Sequence, residues 1–399
     1  MDVIILGAGI VGLTLANLLA QDSRLKIAVI EAKMPNFVWD DFTHDLRCSA
    51  ITRASQNVFK HLGIWDEIVA AGVGVYEKMQ VWNQLDSGMI DFAAADIIET
   101  DLGHIIENRV IHKALWDCSK KFKNMQIMQG QATKFENLAY GIRLHFSDEH
   151  LDAKLIVGAD GANSWLRAFA NIATHDYDYC QSALVANIRT QYAHDKTARQ
   201  CFTESGPLAF LPLQDNNLCS IVWSAAEDKI RGLMQAGKLE FCTLLAHEFA
   251  YKLGNLELES ERACFALRRL HAKDYVVQRI ALIGDAAHVV HPLLGQGMNL
   301  GVMDAATLAE VLDLAERRNK DIGNVAVLRK YERWRKVHNL SVMAVAEGLQ
   351  RSYQTQSSVL RNLRQYTMRL ANDFSYSKQM LIRFAMGLAG DLPASAKCY

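Results

Sequence analysis

The 399 residues are enough for two or three structural units rather than one small core. Half are apolar and 22% are charged, an ordinary globular composition. A net charge of −1 argues against a nucleic-acid partner and against dedication to an acidic substrate. The charge is unevenly spread, because residues 329–383 carry eleven Lys/Arg and three Asp/Glu, a local +8 against −9 elsewhere. Such a basic segment can face an anionic membrane or an acidic partner, or be a solvated helix face. Eight cysteines are scattered without a CxxC pair, as expected of reduced, mostly buried thiols in a cytosolic protein.

Chain order begins with an apolar stretch, Val3–Ala20, nearly long enough to span a membrane. Asp2, not Lys or Arg, precedes it, so it lacks the basic start of a signal peptide. Its glycines explain it better. Residues 2–6 (DVIIL) predict a buried strand, and GAGIVG follows, with Gly7, Gly9 and Gly12 in the G-x-G-x-x-G spacing. A helical pattern comes next, then a second strand, KIAVIEA, containing Glu31. In such a unit the first glycine permits the turn and the second lets backbone approach a pyrophosphate. The third allows helix and strand to pack closely, and the helix N-terminus faces the phosphates. Glu31 can accept hydrogen bonds from both ribose hydroxyls and would repel a 2′-phosphate, which favours FAD or NAD over NADP at this site. A lone glycine pattern is weak; strand, glycines, helix, strand and acid in order are a dinucleotide-binding unit.

Two further pieces stand far along the chain. KLIVGADGANSWLR (residues 154–167) predicts a strand, a turn at Asp160–Gly161 and a helix start. IALIGDAAHVVHPLLGQGMNLG (residues 280–301) predicts a strand ending at Asp285, then a glycine turn before a long helix. His288 and His291, three apart, invite a zinc reading, but Pro292 disfavours a helix there and no third ligand stands at a familiar spacing. No metal is expected, and the histidines are read as shaping the turn, with His291 the nearer to the pocket. Between these pieces, residues 180–275 alternate as strands do, predicting an antiparallel sheet with one covered face, which Tyr76–Trp82 joins. From residue 326 the pattern is helical.

The three segments, in this order, resemble the FAD-dependent aromatic hydroxylases (class A flavoprotein monooxygenases), most closely the ubiquinone-biosynthesis hydroxylases. HDLRCSAIT (44–52), ENRVIHKALW (107–116) and AMGLAGDLP (385–393) share in the resemblance, which covers most of the chain. It implies an α/β fold: a Rossmann-like FAD-binding domain at 1–72, 100–178 and 276–325, an inserted antiparallel-sheet substrate domain at 73–99 and 180–275, and a C-terminal helical region at 326–399. It further implies that Gly7, Gly9 and Gly12 hold the FAD pyrophosphate and Glu31 its ribose. Arg47 would lie beside the cofactor in the loop after the second strand, Arg109 on the flavin's ribityl or phosphate side, Asp160 and Gly161 at a turn associated with both FAD and the reducing nicotinamide, and Asp285 on the ribityl chain. Pro292, Gly295, Gly297, Met298 and Asn299 would lie against the isoalloxazine.

The implied reaction is hydroxylation of a hydrophobic prenylated phenol or quinone precursor by molecular oxygen, through a flavin C4a-hydroperoxide. No catalytic base stands out. The reductant is NAD(P)H or a protein electron donor, since the chain has no second complete glycine unit. Two other readings share the FAD domain: a flavin-dependent reductase of polyprenyl double bonds, and a non-catalytic FAD-binding subunit of a biosynthetic assembly. A halogenase fits less well, as no WxWxIP segment is present. The expected location is cytoplasmic with peripheral membrane contact or ubiquinone-biosynthesis partner proteins, through Arg361, Arg364 and Arg369 and their apolar neighbours.

Overall fold

The computed structural model describes residues 1–39, 44–84, 89–354 and 375–397. Arg361, Arg364 and Arg369 therefore lie outside the described residues. The chain has a two-part α/β fold with a Rossmann-like region, inserted sheets and C-terminal helices. Its centre is a six-stranded sheet in the order Val276–Val277, Ile280–Leu282, Leu155–Gly158, Val3–Leu6, Ile27–Glu31, Met125–Gln129. All pairs are parallel except the first. Val3–Leu6 and Leu155–Gly158 are buried along their whole length, as continuous apolar runs covered on both sides must be: helices pack on the sheet, and Ile142, Leu144 and Phe146 of a three-stranded antiparallel sheet, Ala132–Leu138, Gly141–Phe146 and Glu149–Ala153, join the same core.

The stretch Val3–Ala20, nearly of spanning length on hydropathy alone, is the strand Val3–Leu6, the glycine turn and most of the helix Ile10–Asp22, whose residues are largely buried in the protein. It packs between the central sheet and the helices Asn108–Ser119 and Gly297–Arg317. Among the described residues no helix is long and apolar enough to cross a membrane.

The register of the central sheet determines the site. Leu6 pairs with Gly158, and Gly158 with Leu282, so three strands end level with one another. Hydrogen bonds continue across the exits: Ala159 N to Leu6 O at 2.8 Å, Ile283 N to Gly158 O at 2.9 Å and Gly7 N to Ile30 O at 2.9 Å. Motifs separated by more than a hundred residues thus emerge side by side at the carboxyl edge, where open α/β sheets bind ligands.

The second large sheet has nine strands, seven of them between Thr174 and Val289. Lys78–Asn83 joins it as expected but lies parallel to Thr197–Thr203, because it arrives by a long crossover and not through a hairpin. Two helices inside the segment read as strands, Glu227–Gln235 and Lys238–Glu248, cover one face. Leu184, Ile188, Phe210, Ile221 and Trp223 pack there against Phe241, Leu245 and Phe249. The other face turns toward a small sheet of Cys48–Ile51, Gly103–Glu107 and Gly74–Tyr76. Contact is made by Leu211, Leu213 and Leu218 on Cys48, Ala50 and Ile105, and by Asn187 Nδ2, which donates to Asp45 O at 3.3 Å.

Candidate active site

The glycine loop is built by close approach. Gly7 has φ +102°, and a Cβ there would stand 2.5 Å from Ala159 O in the second motif. At Gly12 a Cβ would stand 2.0 Å from Gly7 O, so the helix packs directly on the turn. Gly9 differs, since a Cβ there meets no protein atom within 4 Å. The fold does not need its small size; an approaching ligand would. Glu31, at the end of its strand, accepts from Ala8 N at 2.7 Å and Lys33 N at 3.1 Å. The Ala8 carbonyl accepts from His112 Nε2 at 2.6 Å. One residue of the loop is therefore held at both its N–H and its C=O. Sequence reasoning overlooked His112, although it lies one helical turn from Arg109 on the same face.

Arg109 and Arg47 occupy one wall. Arg109 Nε donates to Glu107 Oε2 at 2.6 Å, and its guanidinium lies 4.8 Å from the Trp39 ring centroid. Glu107 also accepts from Asp45 N and bonds His44 Nδ1, fastening the 44–47 loop to the same carboxylate. Asn108 N donates to Arg47 O at 2.8 Å, which brings the two arginine segments together.

At the second motif, Asp160 Oδ2 caps the following helix by accepting from Leu166 N at 3.1 Å. Its Oδ1 is buried without a hydrogen-bond partner in the protein, which leaves an acceptor for a ligand hydroxyl or amide. Gly161 has φ +79° and open space beside it. Arg167, also overlooked, is buried; it donates to Ala162 O and Ala286 O, both at 2.8 Å, and so links the second and third motifs.

Asp285 sits in a one-turn 3₁₀ segment, Gly284–Ala286, after the Ile280–Leu282 strand. Its carboxylate has exposed surface, yet protein crowds its other sides. That burial raises its pKa above the ordinary range, while His288, Arg47 and Arg268 pull it down. A carboxylate that keeps exposed surface while protein crowds its other sides suits a polyol.

Pro292–Leu294 form another 3₁₀ turn, ended by Gly295 at φ +61°, and the helix Gly297–Arg317 begins two residues on. The N–H groups of Gly297, Met298 and Asn299 lie in its first turn, where no intrahelical acceptor exists. The Asn299 side chain is fully occupied. It donates to Ala50 O at 2.8 Å and Gly295 O at 3.2 Å, and accepts from Thr52 N at 3.0 Å. It therefore shapes the turn, and its backbone alone is left for a ring.

Each of the two histidines is held by the protein through one ring nitrogen, while His288 Nδ1 and His291 Nε2 are buried without a hydrogen-bond partner. His288 Nε2 meets Asp304 Oδ2 at 2.5 Å, and His291 Nδ1 accepts from Leu293 N at 3.1 Å. The His291 ring lies edge-on to Tyr179, and burial drives its pKa down to about 4. Among the described residues no group of three or more His, Cys, Asp or Glu is arranged to hold a metal.

The arrangement fits FAD: a cradle at Gly9, a ribose acceptor beside it, an unpartnered buried acceptor at Asp160 and a helix N-terminus at the far end of the cleft. Comparison with known proteins agrees. The model of the FAD binding domain family matches residues 1–345. The 3-demethoxyubiquinol 3-hydroxylase of Escherichia coli is 32% identical over 397 residues, which cover 97% of this chain and 98% of that one. The ubiquinone hydroxylase UbiL of Rhodospirillum rubrum is 31% identical, covering 97% of this chain and 89% of its own. Klebsiella pneumoniae HpxO, solved as a variant complexed with FAD, superposes with a TM-score of 0.76 at 18% identity, over 98% of this chain and 99% of that one.

Proposed function

The chain belongs to the FAD binding domain family, as a class A FAD-dependent monooxygenase related to the ubiquinone-biosynthesis hydroxylases, and from that premise we propose that it hydroxylates the aromatic ring of a prenylated phenol or quinone precursor. The observation that carries this is the extent of the match. A relative named as a ubiquinol hydroxylase aligns over nearly the full length of both chains, the substrate sheet included.

In this reading Gly7, Gly9, Gly12 and Glu31 hold the pyrophosphate and ribose of FAD, with Arg47 and Arg109 beside them. Asp285 receives the ribityl chain, and Asp160 and Gly161 form the turn that serves FAD and the reducing nicotinamide. Pro292, Gly295, Gly297, Met298 and Asn299 bear on the isoalloxazine with backbone and ring edges. When bound, FAD supplies the electron transfer and oxygen activation. The protein's part is to orient the substrate ring and exclude water, and the uncovered face of the nine-stranded sheet is the roof that does so. The reductant is NAD(P)H or a protein electron donor.

The test uses purified protein loaded with FAD, prenylated phenols in detergent micelles, and a reductant. A product heavier by one oxygen atom, with oxygen uptake that depends on the substrate, is expected. Anaerobic turnover that saturates a double bond would make the protein a reductase instead. Deleting the gene in its host and finding a quinone precursor short of one ring oxygen would identify the step.

A further inference from the structure

Among the buried polar side chains of the helix Gly297–Arg317 are Asn299 and Asp304, 3% and 0% exposed. Asn299 holds the carbonyl of Gly295. Asp304 accepts from Gly284 N at 3.1 Å. The loop from Gly284 to Gly295, which contains Asp285 and Pro292, is thus gripped at both ends by one helix.

Asp304 divides its two oxygens between two parts of the molecule. Oδ2 takes Gly284 N and, at 2.5 Å, His288 Nε2. Oδ1 takes Arg335 Nε at 2.8 Å and Asn339 Nδ2 at 3.1 Å, both on the long helix Val325–Gln354. Four donors fill the four lone-pair positions of an ionised carboxylate. Burial alone would raise its pKa; His288 and Arg335 overcome that and hold it at about 2. The acceptor role of Asp304 requires Nε2 of His288 to carry the proton and donate.

A brace between two helices does not call for this chemistry. Buried ion pairs are commonly replaced by apolar residues at no loss of stability. An apolar contact, however, has no direction, whereas hydrogen bonds to Gly284 N and His288 fix the orientation of the peptide that precedes Asp285. We propose that Asp304 is a positioning residue for the flavin: through Gly284 and His288 it aims the Asp285 carboxylate and sets the path of the loop to Pro292, so that cofactor affinity depends on it. The proposal rests on the flavin site described above.

The test compares variants that each remove one donor from Asp304. His288→Phe keeps a ring and removes one of the two loop-side donors, leaving Gly284 N; Asn339→Leu keeps the volume and removes one of the two long-helix donors, leaving Arg335 Nε. FAD dissociation constants are measured by fluorescence, visible spectra of the bound flavin are recorded, and melting of the FAD-free proteins is followed. Both variants lose melting temperature. His288→Phe weakens FAD about tenfold or more and shifts the flavin band, while Asn339→Leu stays within about twofold of wild type. His288→Gln, which can still donate, restores most of the affinity. Equal affinities in His288→Phe and Asn339→Leu, or failure of Gln to rescue, would overturn the proposal. Should the Phe variant not fold, His288→Met replaces it under the same criterion. Wild-type protein that binds no FAD would instead refute the flavin-site reading itself.

Discussion

The three glycines of GAGIVG do different work, and substitution separates them. Gly12→Ala places a methyl group 2.0 Å from Gly7 O, so helix and turn must separate. It should lose about 2 kcal/mol or more of unfolding free energy in urea. Gly9→Ala meets open space, and its φ of −72° suits any residue. Its stability should change by under about 1 kcal/mol, while FAD affinity falls at least tenfold because the methyl group occupies the phosphate approach. A Gly9→Ala protein that binds FAD like wild type would remove the pyrophosphate from this loop. The motif and the division of work among its glycines were legible in the sequence; the atoms that enforce it, Ala159 O against Gly7 and Gly7 O against Gly12, were not, because they meet only in the folded chain.

At the scale of elements, the helix Gly297–Arg317 does more than point its N-terminus at a ring. Asn299 ties its first turn to Ala50 O, Thr52 N and Gly295 O. Asn299→Ala would leave the buried Thr52 N–H and two carbonyls without that partner, a loss of about 2–3 kcal/mol measurable in urea. The sequence reading put Asn299 against the isoalloxazine. Its side chain bonds Ala50 O, Gly295 O and Thr52 N, which leaves its backbone N–H to face a ring. Asn299 is a short polar residue at a glycine turn, and such a residue reads the same whether it touches ligand or backbone. The two helices that cover the second sheet, Glu227–Gln235 and Lys238–Glu248, went unread because they are short and set among strongly alternating strands.

Across the whole molecule, several histidines are buried in neutral form. Burial lowers His271 and His291 to about 4, from an unfolded value near 6.5. A group with a depressed folded pKa is protonated more readily in the unfolded chain. Its stabilising effect is complete above about pH 6.5 and is lost as pH falls toward about 4. Urea midpoints should therefore rise with pH across that window and then level off, with His291→Gln showing a shallower rise. A midpoint flat from pH 4 to 6.5 would contradict the burial of these rings. Asp304 acts in a lower window: held at about 2 by His288 and Arg335, it gives up its contribution only as pH drops below the ordinary carboxylate range.

The sequence by itself determined the dinucleotide unit, since strand, glycines, helix and Glu31 lie within one local stretch whose physics is complete in some thirty residues. Through resemblance it also indicated the second and third motifs. Tertiary structure alone decided how they combine. The level ends of three parallel strands bring Gly7, Asp160 and Asp285 to one edge. Arg167 and His112 fasten these turns from positions no local pattern marks. The pairing of Asp304 with His288 and Arg335 spans sixteen and thirty-one residues, from helix to loop and from helix to helix. Periodicity encodes which face of an element is apolar, but a buried hydrogen bond depends on where two elements meet, and that is settled only when the whole chain packs.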